Sequence, residues 1–119
     1  MSVQDQLVQF VVKGMQEKKA EDIVIIDLRD IPNSVADYFI VCSGNSDPQV
    51  DAIAQSVDSE VHKGLKENPT HVEGRTNREW ILIDYIDVVA HVFKKSNREF
   101  YDLEGLWGDA KMIKIENEG

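Results

Sequence analysis

The sequence predicts an α/β fold: a single-domain mixed β-sheet packed by helices, in the order α-β-β-α-β-β-β-α. Three observations predict it. Apolar residues recur at helical spacing in two segments, Val3 to Met15 and Val50 to Leu65. One run, Asp22 to Leu28, is apolar enough on both faces to be a buried strand, and Asp37 to Gly44 reads as a second strand. A third stretch, Glu79 to Phe93, alternates as a hairpin does. The 119 residues suffice for one core and are short for two. Residues 1–119 therefore read as one domain, with a core over about 3–110 and a short C-terminal tail over 111–119.

The elements follow in chain order. Val3, Leu7, Phe10, Val11 and Met15 place the first helix over residues 3–18. Asp22 to Leu28 is a strand, ended by Ile31-Pro32-Asn33-Ser34. Asp37 to Gly44 is the second strand. Asn45 to Gln49 is a helix start, with a capping side chain at Ser46, an early Pro48, and Gln49 three residues after the cap. That helix carries the stripe Val50, Ile53, Val57, Val61 and Leu65, and Asn68-Pro69 ends it. Thr70 to Glu73 adds a short strand before the polar loop Gly74 to Arg78. Glu79 to Tyr85 and Val88 to Phe93 are strands joined at Ile86-Asp87. Ser96 and Glu99 form a capping box for a last helix over about Asn97 to Leu106. Lys111 to Ile115 reads as a frayed strand, followed by a loose tail.

Composition narrows the function. Thirteen Lys and Arg against 22 Asp and Glu leave a net charge of −9. Binding that rests on neutralising phosphates needs the opposite sign. A basic partner fits, and solubility alone is the more common reason for such a charge. The single cysteine, Cys42, lies in an apolar run and reads as a small buried hydrophobe. The opening MSVQDQLVQFVVKGMQEKK lacks the pattern of a secretory signal, and no apolar run is long enough to span a membrane. A cytoplasmic setting is expected.

Residues 79–110 hold both tryptophans, two of the three tyrosines and two of the four phenylalanines. Aromatic anchors ringed by acid are the makings of a protein-binding surface. With a two-residue loop at Ile86-Asp87, Tyr85 faces Val88, Asp84 faces Val89, Leu82 faces His91 and Trp80 faces Phe93. Opposed residues share a sheet face. One face then shows Trp80, Leu82, Asp84, Val89, His91 and Phe93. The other shows Ile81, Ile83, Tyr85, Val88, Ala90 and Val92, and it suits a helix stripe. The first face is a candidate binding surface. Equally, Trp80 and Phe93 can lie under the last helix, and both hold if that helix covers half the face. Ile86 conflicts with a tight turn, where positive φ favours Gly or Asn. It implies a longer loop, a bulge or strain.

The segments ADYFIVCSGNS, EWILIDYIDVVAHVF and REFYDLEGLWGDA resemble the ribosomal silencing factor family, also called RsfS or Iojap, over about Val3 to Ala110. The resemblance implies a nucleotidyltransferase-like αβ sandwich without an evident active site, hence no enzyme and no cofactor. It implies binding to the large ribosomal subunit through ribosomal protein L-fourteen. It further implies blocked joining of the small subunit and lowered translation under nutrient limitation. Its motif positions fall here on Trp80, Asp84, Tyr85, Asp87, His91, Tyr101, Leu103, Leu106 and Trp107, which join Leu82 as partner-binding candidates. One position departs: the family pattern usually has glycine where this chain has Ile86.

Other readings compete. Ser43-Gly44 lies between a strand and a helix, as a nucleotidyltransferase phosphate loop does. A divergent nucleotidyltransferase-like enzyme or nucleotide-binding domain is thus the alternative. It would need paired carboxylates to hold Mg²⁺, and Asp84 and Asp87 are separated by a turn. Ser43-Gly44 is more simply a strand end feeding a helix cap. His62, His71, His91 and Cys42 lack any short metal-ligand spacing. Arg75 and Arg78 precede Trp80 and offer cations for a peripheral rRNA contact, or for a partner's acid. A sheet face or edge strand can also pair with its own copy, so monomer and homodimer both stay open.

Overall fold

The computed structural model describes residues 5–116. Its elements are α1 (Gln6–Glu17), β1 (Glu21–Asp27), β2 (Tyr38–Gly44), α2 (Asp47–Leu65), β3 (His71–Glu73), β4 (Trp80–Asp84), β5 (Val88–Lys94), α3 (Lys95–Tyr101), α4 (Leu103–Leu106) and β6 (Lys111–Lys114). The strands form one six-stranded mixed sheet in the order β3-β4-β5-β2-β1-β6. Only the central pair, β2 and β5, is parallel; the other neighbours are antiparallel. A parallel pair cannot be closed by a tight turn. Here α2 and the β3–β4 hairpin make the crossover.

Local chemistry sets the helix starts. The Asp5 carboxylate accepts the Val8 amide at 3.2 Å and caps α1. The expected start at Val3 lies outside the described residues. At α2 the Ser46 hydroxyl accepts the Gln49 amide at 3.2 Å, and Gln49 reaches back to accept the Asn45 amide at 2.7 Å. The helix ends in a left-handed Lys66, φ 58°, whose amide donates to the His62 carbonyl.

The sheet is buried on both faces. On one face, α1 and α2 cover Ile23, Ile25, Ile40, Cys42 and the expected inner side of the hairpin, Ile81, Ile83, Tyr85, Val88, Ala90 and Val92. On the other, Val24, Ile26, Phe39, Val41, Val89 and Phe93 pack with Leu28, Ala36 and Leu103. All seven residues of β2 are buried. The two helices meet at Gly14, where an added Cβ would lie 2.6 Å from the Val57 Cα and 2.9 Å from the Ser56 carbonyl oxygen.

Three expectations change. The frayed strand read at Lys111 to Ile115, placed in a tail outside the core, is a paired strand: β6 aligns with β1 from Val24↔Lys114 to Asp27↔Lys111, and Ile113 and Ile115 pack against the core, which extends past Ala110. The last helix is two helices, broken at Asp102, which is left-handed at φ 43°. The Ser96–Glu99 capping box does not form. β5 runs straight into α3, the Lys94 amide still held by the Glu79 carbonyl at 2.8 Å. The cap position therefore falls on Lys94, ahead of Ser96, and no side chain caps the helix there.

Gly14→Ala should force the α1–α2 backbones apart and cost about 1–3 kcal/mol. Urea unfolding checks this: the midpoint falls while the slope stays unchanged.

Candidate protein-binding face

The hairpin has the register read from the sequence: Trp80↔Phe93, Leu82↔His91 and Asp84↔Val89. Its outer face carries an aromatic cluster. The Trp80 indole Nε1–H donates to His91 Nδ1 at 3.0 Å. With Nδ1 accepting, the ring proton of neutral His91 sits on Nε2. Trp80 stacks on Phe93, centroids 4.9 Å apart and planes 23° apart. Tyr101 of α3 tilts onto Trp80 at 4.9 Å. Phe39 of β2 meets His91 edge-on at 4.6 Å, and Trp107 meets Phe39 edge-on at 5.8 Å. These edge-to-face and offset contacts suit ring quadrupoles.

Phe93 and His91 are buried, while Trp80, Leu82, Tyr101 and Trp107 stay half-buried. The C-terminal helices thus cover part of the face, so Trp80 packs under α3 and is still partly exposed. Leu106 stands out at 74% exposure. Leu103, its neighbour on α4, is buried in the outer-face core and anchors the helix.

The acids lie at the turn. Asp84 is half-buried, and its Oδ1 accepts the Ile86 amide at 2.7 Å. Asp87 is exposed, and its carbonyl accepts the amides of Asp37 and Tyr38 at 2.8 and 3.1 Å. Of the ten candidates, Trp80, Leu82, Asp84, Tyr101 and Trp107 gather on the outer face, Asp87 lies exposed in the turn at the end of the hairpin, and Leu106 is exposed on α4. His91 and Leu103 support that surface from below. Tyr85 lies on the opposite side of the sheet, inside the α1–α2 core. Burial raises its phenol pKa.

Two contributors escaped the sequence reading. Phe39 is brought in by the parallel pairing of β2 and β5, which no local pattern marks. Arg98 pins α3. Its Nη1 donates to the Asp22 carbonyl at 2.6 Å and the Ser43 hydroxyl at 2.9 Å, and its Nε pairs with Glu104 at 3.1 Å. The hydroxyl read as part of a phosphate loop is therefore buried and engaged by arginine. His62 bonds Asn68 and His71 bonds Glu73. Cys42 is buried, and desolvation pushes its thiol up to about 12. Among the described residues, no three His, Cys, Asp or Glu gather as a metal-ligand set, and no helix is long and apolar enough to cross a membrane.

A family model described as "Ribosomal silencing factor during starvation" matches residues 2–119. The chain belongs to the ribosomal silencing factor family. The silencing factor of Halalkalibacterium halodurans is 41% identical over 114 residues, covering 93% of this chain and 93% of that one. A crystal structure of a Chromobacterium violaceum protein superposes with a TM-score of 0.81 at 30% identity, covering 98% of this chain and 96% of that one. A mouse relative named "Mitochondrial assembly of ribosomal large subunit protein 1" is 28% identical over 104 residues, 84% of this chain and 44% of that protein. Fold and family thus agree for this member of the silencing-factor family.

Burial lowers the His91 pKa from 6.5 to about 3. Between these values the unfolded chain binds more protons than the folded one. Stability from this group is therefore full above pH 6.5 and declines as pH falls toward 3. The slope from this one group is at most about 1.4 kcal/mol per pH unit. His91→Asn keeps an acceptor near Trp80 Nε1 without the titration. Its stability should fall less than that of the wild type from about pH 7 to about pH 5, read by urea unfolding at each pH.

Proposed function

We propose that this protein silences translation by docking its Trp80 face on ribosomal protein L-fourteen of the large subunit and so blocking the small subunit. The observation that carries the reading is the half-covered aromatic face with Leu106 projecting beside it. Family membership supplies the ribosomal context. Trp80, Tyr101 and Trp107 are already held by ring contacts and by the His91 hydrogen bond. Little rotamer entropy remains to be lost on binding, which is the condition under which aromatic anchors act as hot spots.

Charge works in the same direction. Asp84 and Asp87 edge the face of a chain carrying −9 overall. A basic ribosomal protein is attracted, while rRNA phosphate is repelled except where Arg75 or Arg78 meets it. No bond is made or broken in this mechanism. The bound domain occupies surface that the small subunit needs, in the cytoplasm, when nutrients are limited. A nucleotidyltransferase-like ancestry of the sandwich is compatible with this role. So is either a monomeric or a homodimeric free form.

Co-sedimentation with isolated ribosomal subunits, paired with a subunit-joining assay, tests the proposal. The expected result is binding to the large subunit alone and loss of joining. Leu106→Asp removes an exposed side chain and should leave the melting temperature unchanged while weakening binding at least about tenfold. Trp80→Ala should weaken it by roughly thirtyfold, with some stability lost through Phe93. Wild-type affinity in Leu106→Asp would remove this face from the interface.

A further inference from the structure

The turn joining β4 to β5 has an unusual construction. The Asp87 amide donates to the Tyr85 carbonyl at 3.0 Å, which closes a three-residue turn centred on Ile86 at φ 76°. This is the rarer, strained hand of the γ-turn. A β-branched residue is poorly suited to positive φ. Its conformation is over-determined. The Tyr85 amide bonds the Val88 carbonyl at 2.9 Å, and the Asp84 carboxylate takes the Ile86 amide at 2.7 Å. From behind, the Asp37 and Tyr38 amides hold the Asp87 carbonyl.

The Ile86 side chain gains little packing for this strain, because it is 62% exposed. Val35 is 76% exposed and sits on the β1–β2 loop, two residues before the Asp37 amide that ties this loop to the turn. Two exposed aliphatic side chains therefore project from one end of the sheet, among Asp37, Asp84 and Asp87.

We infer that the Ile86 turn, with Val35 beside it, is a rigid apolar docking knob for a basic protein surface of the large subunit. The inference rests on the function proposed above and extends that interface from the aromatic face to the end of the hairpin. Two features select the occupant. The acids around the knob favour a lysine- or arginine-rimmed apolar pocket and disfavour rRNA. The knob also continues directly from Asp84, which already edges the aromatic face. Strain is stored where the surrounding bonds force it, as at binding turns elsewhere. The pre-formed turn spares the partner the work of ordering it.

The test uses the opposite signs expected for stability and binding. Ile86→Gly relieves the positive φ, so its melting temperature should rise by about 3 °C. Its affinity for purified large subunits should fall about fivefold or more. Val35→Ser, at a side chain 76% exposed, should keep the wild-type melting temperature and also bind more weakly. A wild-type protein that binds no large subunit would overturn the proposed function itself. Binding by the wild type and equally by Ile86→Gly would overturn the knob alone. A lower melting temperature in Ile86→Gly would overturn its strained origin. Capture of naked rRNA by the wild type, lost in both variants, would show the knob to be an RNA contact and overturn the protein occupant.

Discussion

The parallel pairing of β2 with β5 is the constraint on which the rest of this structure depends. Seven residues of each strand align, from Tyr38↔Val88 to Gly44↔Lys94. Parallel neighbours need a long crossover, and that crossover generates α2 and the β3–β4 hairpin. It places β2 in the middle of the sheet with both faces covered. It also sets Phe39 beside Val89, and so under His91 and Trp107. Shifting the register by one residue would turn Phe39 into the helix-covered core and empty the floor of the aromatic face.

Much of this was legible in the sequence, and what was missed has physical causes. The hairpin register follows from alternation between aliphatic and mixed faces, a local signal. The start of α2 follows from Ser46, Pro48 and Gln49, also local. Which strands pair is non-local, so the sequence marked two-faced burial at β1 and a plain strand at β2, without placing β2 at the centre or naming β5 as its partner. β6 reads only as a frayed strand because Lys111 and Lys114 flank just Met112 and Ile113, and its pairing with β1, which orders it, spans most of the chain. The capping-box pattern at Ser96 was present, yet a strand entering the helix without a loop overrode it. Ile86 was flagged as a conflict between residue and turn. The conflict is met by strain, not by a longer loop.

Arg98 explains how the aromatic face can be both ordered and open. α3 and α4 are short, and short helices have little stability of their own. One largely buried guanidinium, 11% exposed, joins them to β1, β2 and each other through Asp22, Ser43 and Glu104. Charged bonds of this kind are the stronger ones. Because the anchor lies at the start of the helix pair, the far end at Leu106 and Trp107 needs little burial to stay in place. The aromatic surface is thus left available without being left loose.

Electrostatics divide the labour between core and rim. His91 is the imidazole of the aromatic cluster, and burial keeps it neutral at physiological pH. Beneath the face, Trp80 therefore meets a hydrogen-bond acceptor and not a cation. A protonated His91 would lose the acceptor at Nδ1 and bury an unpaired charge, which is far costlier than the bond it replaces. The charges at the solvent edge of the face are instead those of Asp84 and Asp87, where water makes them cheap to maintain. Rim charges act chiefly on encounter rate and on the choice of partner, and buried aromatics chiefly on residence time. On the function proposed above, acid would steer a fast approach and Trp80 with its neighbours would slow release, the combination that holding one subunit against a competing one requires.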